Sequence, residues 1–119
     1  MRSIPAVAFC MVLATATSFT QSLQSGTFSA NVSSESWTLN GGSGSRTHIV
    51  FVKFQKPFTA PPTVTLSLTG YDGAAGKDGN VRVSIKHENI SREGFVIKVS
   101  TWGDSRLTGV EGSWIASGK

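Results

Sequence analysis

Single-residue alternation of apolar and polar side chains is the feature that most limits how this chain folds. In residues 63–69, Val64, Leu66 and Leu68 fall on one side and hydroxyl residues on the other. The same period of two runs through 80–88 and 95–102, which a short loop separates. This period is typical of strands with one buried face, and no stretch after residue 16 shows sustained helical periodicity. The sequence therefore predicts an all-β fold.

The remaining strand candidates are short and are separated by Gly-, Ser- and Pro-rich turns. They are residues 27–30, 36–39, 48–54 and 112–116. About six short strands with turn signals between them predict one small antiparallel β-sandwich, placed here at residues 26–119. Segment 48–54 is apolar on both faces, so either a second copy of the chain or, in a monomer, a central position in the sheet covers its outer face.

The first 25 residues have a different composition from the rest. Arg2, the apolar run 4–13 and the small residues Ala14-Thr15-Ala16 predict a signal peptide at residues 1–16. The apolar run is too short to span a bilayer. Residues 17–25 are polar and are predicted to be a loose N-terminal arm. We therefore expect a secreted, extracellular protein without membrane insertion, whose only cysteine, Cys10, is removed with the signal.

Charge and residue counts argue against several functional classes. The net charge is +4, but the basic residues are scattered and do not form the dense patch expected of a nucleic-acid-binding surface. His48 and His87 are the only histidines, which are too few for a zinc site without mature cysteines. No nucleophile, base and acid fall into a convincing catalytic pattern. We expect no enzyme activity, no metal and no cofactor.

The two alternating segments 80–88 and 95–102 predict a β-hairpin with a candidate binding pair. A loop centred near Arg92 places residue 84 opposite 100, 86 opposite 98, and Arg82 opposite Trp102. An indole face packs against the C–H face of a sugar, and a guanidinium donates paired hydrogen bonds to its hydroxyls. Two alternatives stay open: a plain cation–π contact, or a register shifted by two residues that separates the pair.

Two Asn-x-Ser triplets match the acceptor pattern for N-glycosylation. They begin at Asn31 and Asn89. Asn89 starts the predicted hairpin loop and is therefore the better candidate, provided that the loop is exposed.

An ordered set of segments resembles the H-type lectin domain, the family of snail agglutinins and of the carboxy-terminal domain of discoidins. The most characteristic pieces are the strand–proline–strand run at 54–64, the Asn80-Val81-Arg82-Val83 strand and the Thr101-Trp102-Gly103-Asp104-Ser105 turn. The other matching segments are 67–69, 89–95 and 113–116. The resemblance covers residues 24–117, which is almost the whole predicted mature chain.

This resemblance implies a six-stranded antiparallel β-sandwich. It also implies a homotrimer, or a dimer of trimers, that binds galactose or N-acetylgalactosamine without a metal. It assigns sugar contacts to Arg82 and Trp102. The position after the tryptophan also contributes in snail members, often as His, but here it is Gly103. Family members use an acid from the loop that corresponds to 41–45, where this chain has only Gly and Ser, including Ser45. Asp104 is our candidate for the missing acceptor.

The sequence thus predicts a secreted, multivalent lectin whose partners are glycans with terminal galactose or N-acetylgalactosamine. The acid-free loop 41–45 keeps an alternative open. In that alternative, the protein is a non-catalytic structural or protein-interaction β-sandwich that has lost sugar binding.

Overall fold

The computed structural model describes residues 21–119, which form six β-strands and no helix. The strands are β1 (Ser22–Asn31), β2 (Arg46–Lys53), β3 (Thr63–Ala74), β4 (Ser84–Glu88), β5 (Gly94–Thr101) and β6 (Arg106–Gly118). The predicted signal peptide at 1–16 lies outside the described residues. In residues 21–119, no helix has the length and apolarity needed to cross a membrane.

The strands form two antiparallel sheets of three strands each. One sheet has the order β1-β6-β3 and the other β2-β5-β4. The predicted six-stranded antiparallel β-sandwich is confirmed. Strand β5 shows why the alternation was informative: Phe95, Ile97 and Val99 are buried in the core, while the intervening residues are partly exposed.

Aromatic rings fill the core at the end of the sandwich opposite the β5–β6 turn. The Phe54 ring lies 5.0 Å from the Phe58 ring and 5.8 Å from the Trp114 ring, and Phe95 meets Trp114 edge-on at 5.5 Å. Such pairs contribute about 0.5–1.5 kcal/mol each beyond their buried area. Gly26 leaves the space for the indole, because a Cβ there would lie 2.9 Å from Trp114. This packing holds the two sheets together without a disulfide between the described residues.

Two strands are longer than their composition indicates. Residues 22–25, predicted as part of a loose arm, are strand β1, because their backbones pair with the long strand β6 from Ser22↔Gly118 onward. Strand β3 runs on to Ala74, although residues 70–79 are predicted to form a loop. Register shifts at Leu68/Gly70 and Asp72/Gly73 show that β-bulges let the strand continue through its glycines.

The predicted strand at 36–39 is wrong. These residues form turns and irregular structure, and Ser36 has a φ of 66°, a value that a strand does not accommodate. The Trp37 indole Nε1 donates to the Leu107 carbonyl at 3.0 Å, and its ring lies 5.0 Å from the His48 ring. Leu39 is fully buried. The segment therefore covers one end of the core instead of joining a sheet.

Strand β2 lies at the edge of its sheet and pairs only with β5. His48 and Val50 point toward the core, whereas Ile49 and Phe51 on the outer face are 39% and 81% exposed. A covered, central position for this strand in the single chain is therefore ruled out. The outer face of β2 therefore carries two large apolar side chains, of which residues 21–119 leave Phe51 largely exposed and Ile49 partly exposed.

Candidate functional site

Three loops meet where β5 ends and β6 begins. They are the 41–45 loop before β2, the 76–82 loop before β4, and the 102–105 turn between β5 and β6; we call them the three-loop site. The Gly44 amide donates to the Gly103 carbonyl at 2.9 Å. The Lys77 amide donates to Asp104 Oδ2 at 2.8 Å. The 102–105 turn therefore joins the other two loops.

The register predicted for the β4–β5 hairpin is confirmed where the hairpin exists. Ser84 pairs with Ser100 and Lys86 with Lys98. The ladder ends there, because β4 begins at Ser84 and not at Asn80. The predicted direct pairing of Arg82 with Trp102 is therefore wrong, since both residues lie in loops beyond the ladder.

Two buried hydroxyl groups replace the ladder beside Arg82. Thr101 Oγ1 donates to the Arg82 carbonyl at 2.7 Å, and the Arg82 amide donates to Ser105 Oγ at 3.1 Å. Ser105 Oγ also donates to the Asn80 carbonyl at 2.9 Å. Thr101 and Ser105 are both fully buried. Side-chain hydrogen bonds thus hold the Arg82 backbone against the 102–105 turn.

The Arg82 guanidinium lies beside the 102–105 turn and forms an ion pair. Nη2 donates to Asp78 Oδ2, and Nη1 donates to Ser105 Oγ at 3.4 Å. The hydrogen bond from Arg82, with a further one from the Asn80 amide, lowers the pKa of Asp78 from 3.8 to about 2. The same hydrogen bond raises the pKa of Arg82. Both groups are therefore charged at neutral pH.

Trp102 and Gly103 form the open side of the site. Trp102 is 43% exposed, which leaves part of an indole ring in contact with water. Gly103 has a φ of 68°, and a Cβ there would lie 3.0 Å from Arg82 Nη1. A glycine at this position thus permits both the tight turn and the close approach of the guanidinium.

Arg46, which the sequence analysis does not single out, fixes the 41–45 loop. Its Nε donates to the Gly44 carbonyl at 3.0 Å, and its Nη2 donates to the carbonyls of Gly103 and Ser105, both at 2.9 Å. Its Nη1 donates to the Gly41 carbonyl. One guanidinium therefore connects the 41–45 loop to the 102–105 turn through backbone oxygens alone.

The other two residues predicted for the sugar site, Ser45 and Asp104, differ in their surroundings. Ser45 is exposed and sits between Gly44 and Arg46, which both contact Gly103, so it borders the site. Asp104 is half-buried, and Oδ2 accepts the Lys77 amide. Asp104 thus holds the 76–82 loop in place, and the more exposed carboxylate beside Arg82 belongs to Asp78.

The two glycosylation candidates lie outside this site. Asn89 is exposed, has a φ of 55°, and lies in the β4–β5 loop, at the opposite end of β5 from Trp102. Asn31 is exposed at the end of β1, where its Oδ1 accepts the Ser33 amide at 2.8 Å. Glycosylation at either position stays a prediction.

The site combines an apolar ring, a donor group and an acceptor group, and all three face solvent in part. Arginine has five N–H donors and an ionised carboxylate has only acceptors, so the pair of Arg82 and Asp78 can both donate to and accept from adjacent hydroxyls. Within residues 21–119, no three His, Cys, Asp or Glu side chains come together in a way that would hold a metal ion. The arrangement suits recognition of a polyhydroxylated ligand with an apolar face.

Four contributors to the site are absent from the sequence-based prediction: Asp78, Thr101, Ser105 and Arg46. The spacing Asp78–Arg82 is visible in the sequence, but it becomes informative only once the segment is known to be a loop. Thr101 continues the alternation of the buried residues Phe95, Ile97 and Val99. That alternation predicts that its hydroxyl also faces inward.

Comparison with known proteins identifies relatives of this chain. The family model of the H-type lectin domain matches residues 49–117. Discoidin-2 of Dictyostelium discoideum is 34% identical over 79 residues, which are 66% of this chain and 30% of discoidin-2. A protein of Fuscovulum blasticum, described as ATP synthase subunits region ORF 7, is 40% identical over 82 residues, which are 69% of this chain and 67% of that protein.

The three-dimensional match is to the same group of proteins. The recombinant discoidin II structure from Dictyostelium discoideum superposes with a TM-score of 0.73 at 31% identity, covering 84% of this chain and 38% of that one. This chain thus spans about a third of the length of the discoidins that it matches. Because the family model matches more than half of the chain, and the fold agrees, the chain belongs to the H-type lectin family, whose domains bind carbohydrates and are not enzymes.

Proposed function

We propose that this protein is a lectin that binds glycans ending in galactose or N-acetylgalactosamine at the three-loop site. The observation that supports the proposal is that part-exposed Trp102 is followed by Gly103, which lies against the Arg82 guanidinium, and that Arg82 is paired with Asp78. Trp102 would pack against the C–H face of the sugar ring. Arg82 would donate to adjacent hydroxyls, which a planar fork of N–H groups reaches better than an ammonium does.

The alternative of a protein-interaction sandwich without sugar binding rested on the missing acid in the 41–45 loop. Asp78 in the 76–82 loop contacts the Arg82 guanidinium, which supports a different carboxylate as the acceptor. A donor and an acceptor would then lie beside the turn that carries Trp102. This observation favours the lectin over the alternative.

Multivalency is the second part of the proposal. We expect a homotrimer, or a dimer of trimers, that is secreted and agglutinates cells. The exposed Ile49 and Phe51 on the outer face of edge strand β2 support assembly, because large apolar side chains that are clustered at a surface are typical of interfaces. Several weak sites on one particle bind a cell surface far more tightly than a single site does.

The test compares wild-type protein with the Arg82→Ala variant on a glycan array and by titration calorimetry with N-acetylgalactosamine and galactose. We expect the wild type to bind and the variant to lose about 2 kcal/mol, roughly a thirtyfold weaker affinity, because hydrogen bonds from a charged donor are removed. Lys56→Ala, which removes an exposed positive charge from the loop between β2 and β3, at the end of the sandwich opposite the three-loop site, is the matched control and retains affinity.

Two results would contradict the proposal. A wild-type protein that binds no glycan on the array would remove the lectin assignment for this chain. Full affinity in Arg82→Ala, with an unchanged circular dichroism spectrum, would place the sugar site elsewhere on the sandwich.

A further inference from the structure

Asp78 is an exposed charged residue inside the three-loop site. Its side chain is 46% exposed, compared with 22% for Arg82, and its Oδ2 accepts from Arg82 Nη2. Its other oxygen, Oδ1, accepts the Asn80 amide at 3.0 Å. These two contacts fix the carboxylate at the surface of the site, on the guanidinium that the proposed sugar would meet.

A guanidinium at a binding site ordinarily favours anions. Arginine matches carboxylate and phosphate groups through two parallel hydrogen bonds, and this is its commonest use in recognition. In this protein the Asp78 carboxylate already accepts from one nitrogen of the Arg82 guanidinium, Nη2. An anionic ligand would have to displace Asp78 or approach it closely, and either requirement lowers its affinity.

A neutral polyol meets no such barrier. Arg82 has N–H groups beyond those directed to Asp78 and Ser105, and a carboxylate has about four acceptor positions for two oxygens. One sugar hydroxyl can therefore accept from Arg82 while its neighbour donates to Asp78. Asp104 adds a second negative charge, which contributes to the raised pKa of Arg82. The exposed Lys77 and the carbonyl-bound Arg46 add positive charge, so the barrier to an anion is the Asp78 contact on the guanidinium and not the net charge of the site.

We infer that Asp78 is a specificity-determining residue that restricts the three-loop site to neutral sugars and excludes acidic ones, such as uronic acids, sialic acids and sulfated galactose. This inference rests on the proposed function, since it concerns which sugars that site accepts. The inference goes beyond the proposed function because it assigns a selective role to Asp78, a carboxylate of the 76–82 loop.

The test uses Asp78→Asn, which removes the charge but keeps an oxygen that accepts the Asn80 amide. Full-length wild-type and variant proteins are compared on an array that displays galactose, N-acetylgalactosamine, galacturonic acid and sulfated galactose. We expect wild-type signal on the neutral glycans, and we expect the ratio of acidic to neutral binding to rise at least about tenfold in the variant. Thermal unfolding of both proteins checks that the fold is retained.

Glu93→Gln is the matched control. It also removes one negative charge, but from the β4–β5 loop at the opposite end of β5. Its ratio of acidic to neutral glycan binding should equal that of the wild type. Wild-type preference for acidic glycans, or an unchanged ratio in Asp78→Asn, would overturn the inference while leaving the protein a lectin. Absence of binding to every glycan would overturn the proposed function as well.

Discussion

Arg82 is held through both its backbone and its side chain. The buried hydroxyls of Thr101 and Ser105 bond its backbone carbonyl and amide, while Asp78 and Ser105 bond its guanidinium. A long side chain that is fixed before a ligand arrives loses less rotamer freedom on binding. The residue is therefore prepared for recognition at a surface where an unsupported arginine would sample many rotamers.

The Arg82–Asp78 pair makes a prediction about acid titration. The folded-state pKa of Asp78, about 2, lies below its ordinary value of 3.8. The Arg82–Asp78 pair therefore stabilises the folded protein fully at pH values above 3.8. This contribution to stability is lost as the pH falls through the folded-state pKa of about 2. NMR titration of the Asp78 carboxyl carbon should show a midpoint well below 3.8, and in Arg82→Ala the midpoint should rise toward 3.8.

Lys98→Ala is the matched control for Arg82→Ala. It also removes a positive charge, but one that lies 3.9 Å from Glu88 on the neighbouring strand and not beside Asp78. The Asp78 midpoint should be the same in wild type and Lys98→Ala. An Asp78 midpoint that does not respond to the loss of Arg82 would show that the ion pair does not form in solution.

At the level of single residues, the sequence singles out Arg82 and Trp102 as candidates but does not show which residues hold Arg82 in place. Parity along a strand indicates which side chains face outward, and a family motif indicates which of them touch a ligand. Neither reveals a hydroxyl such as Ser105 that satisfies the backbone of a distant loop. Those contacts depend on how three loops approach each other, which no local pattern encodes.

Among the elements, the β4–β5 hairpin was predicted in register but not in length. The alternation of apolar residues sets the faces, and the pairs Ser84–Ser100 and Lys86–Lys98 follow from it. The ladder stops at Ser84 because Thr101 and Ser105 provide alternative partners for the Arg82 backbone. The failure of the strand pattern coincides with the proposed site, where loops replace regular pairing.

Arg46 joins two of the site's loops, and its removal should loosen them. It donates to the carbonyls of Gly41, Gly44, Gly103 and Ser105. In Arg46→Ala we expect the Gly44 amide to exchange with solvent about fivefold faster, which corresponds to about 1 kcal/mol of lost local stability. Hydrogen exchange followed by NMR measures this effect.

The Phe54 amide is the control for the Arg46 variant. It donates to the Glu93 carbonyl at 2.8 Å, in the β4–β5 loop region away from the three-loop site. Its exchange rate should not change. Equal acceleration at both amides would indicate global destabilisation, and no acceleration at Gly44 would show that Arg46 does not hold the loop.

At the scale of the whole molecule, the sequence predicted the architecture but not the edges of the sheets. Several short alternating or apolar strands with intervening turns are sufficient to predict a sandwich, although one of the seven candidates, 36–39, is not a strand. Because segment 48–54 is apolar on both faces, its sequence fits either a central strand of a monomer or a strand covered by a second copy of the chain. Only the strand order β2-β5-β4 places it at an edge. That order depends on long-range pairing, which a period of two along one strand does not specify.

The exposed Phe51 side chain predicts that copies of the chain meet at the outer face of β2. Phe51→Glu places a charge on a side chain that is now 81% exposed, so the single chain should fold unchanged. We expect sedimentation to show a trimer for the wild type and a monomer for the variant, because burying an unpaired charge at an apolar contact is unfavourable. Agglutination should be lost while calorimetric affinity for a single sugar stays the same. Ile115→Glu, on the outer face of the other sheet and 49% exposed in the wild type, is the control. A monomeric wild type, or a trimeric Phe51→Glu protein, would contradict this assignment of the interface.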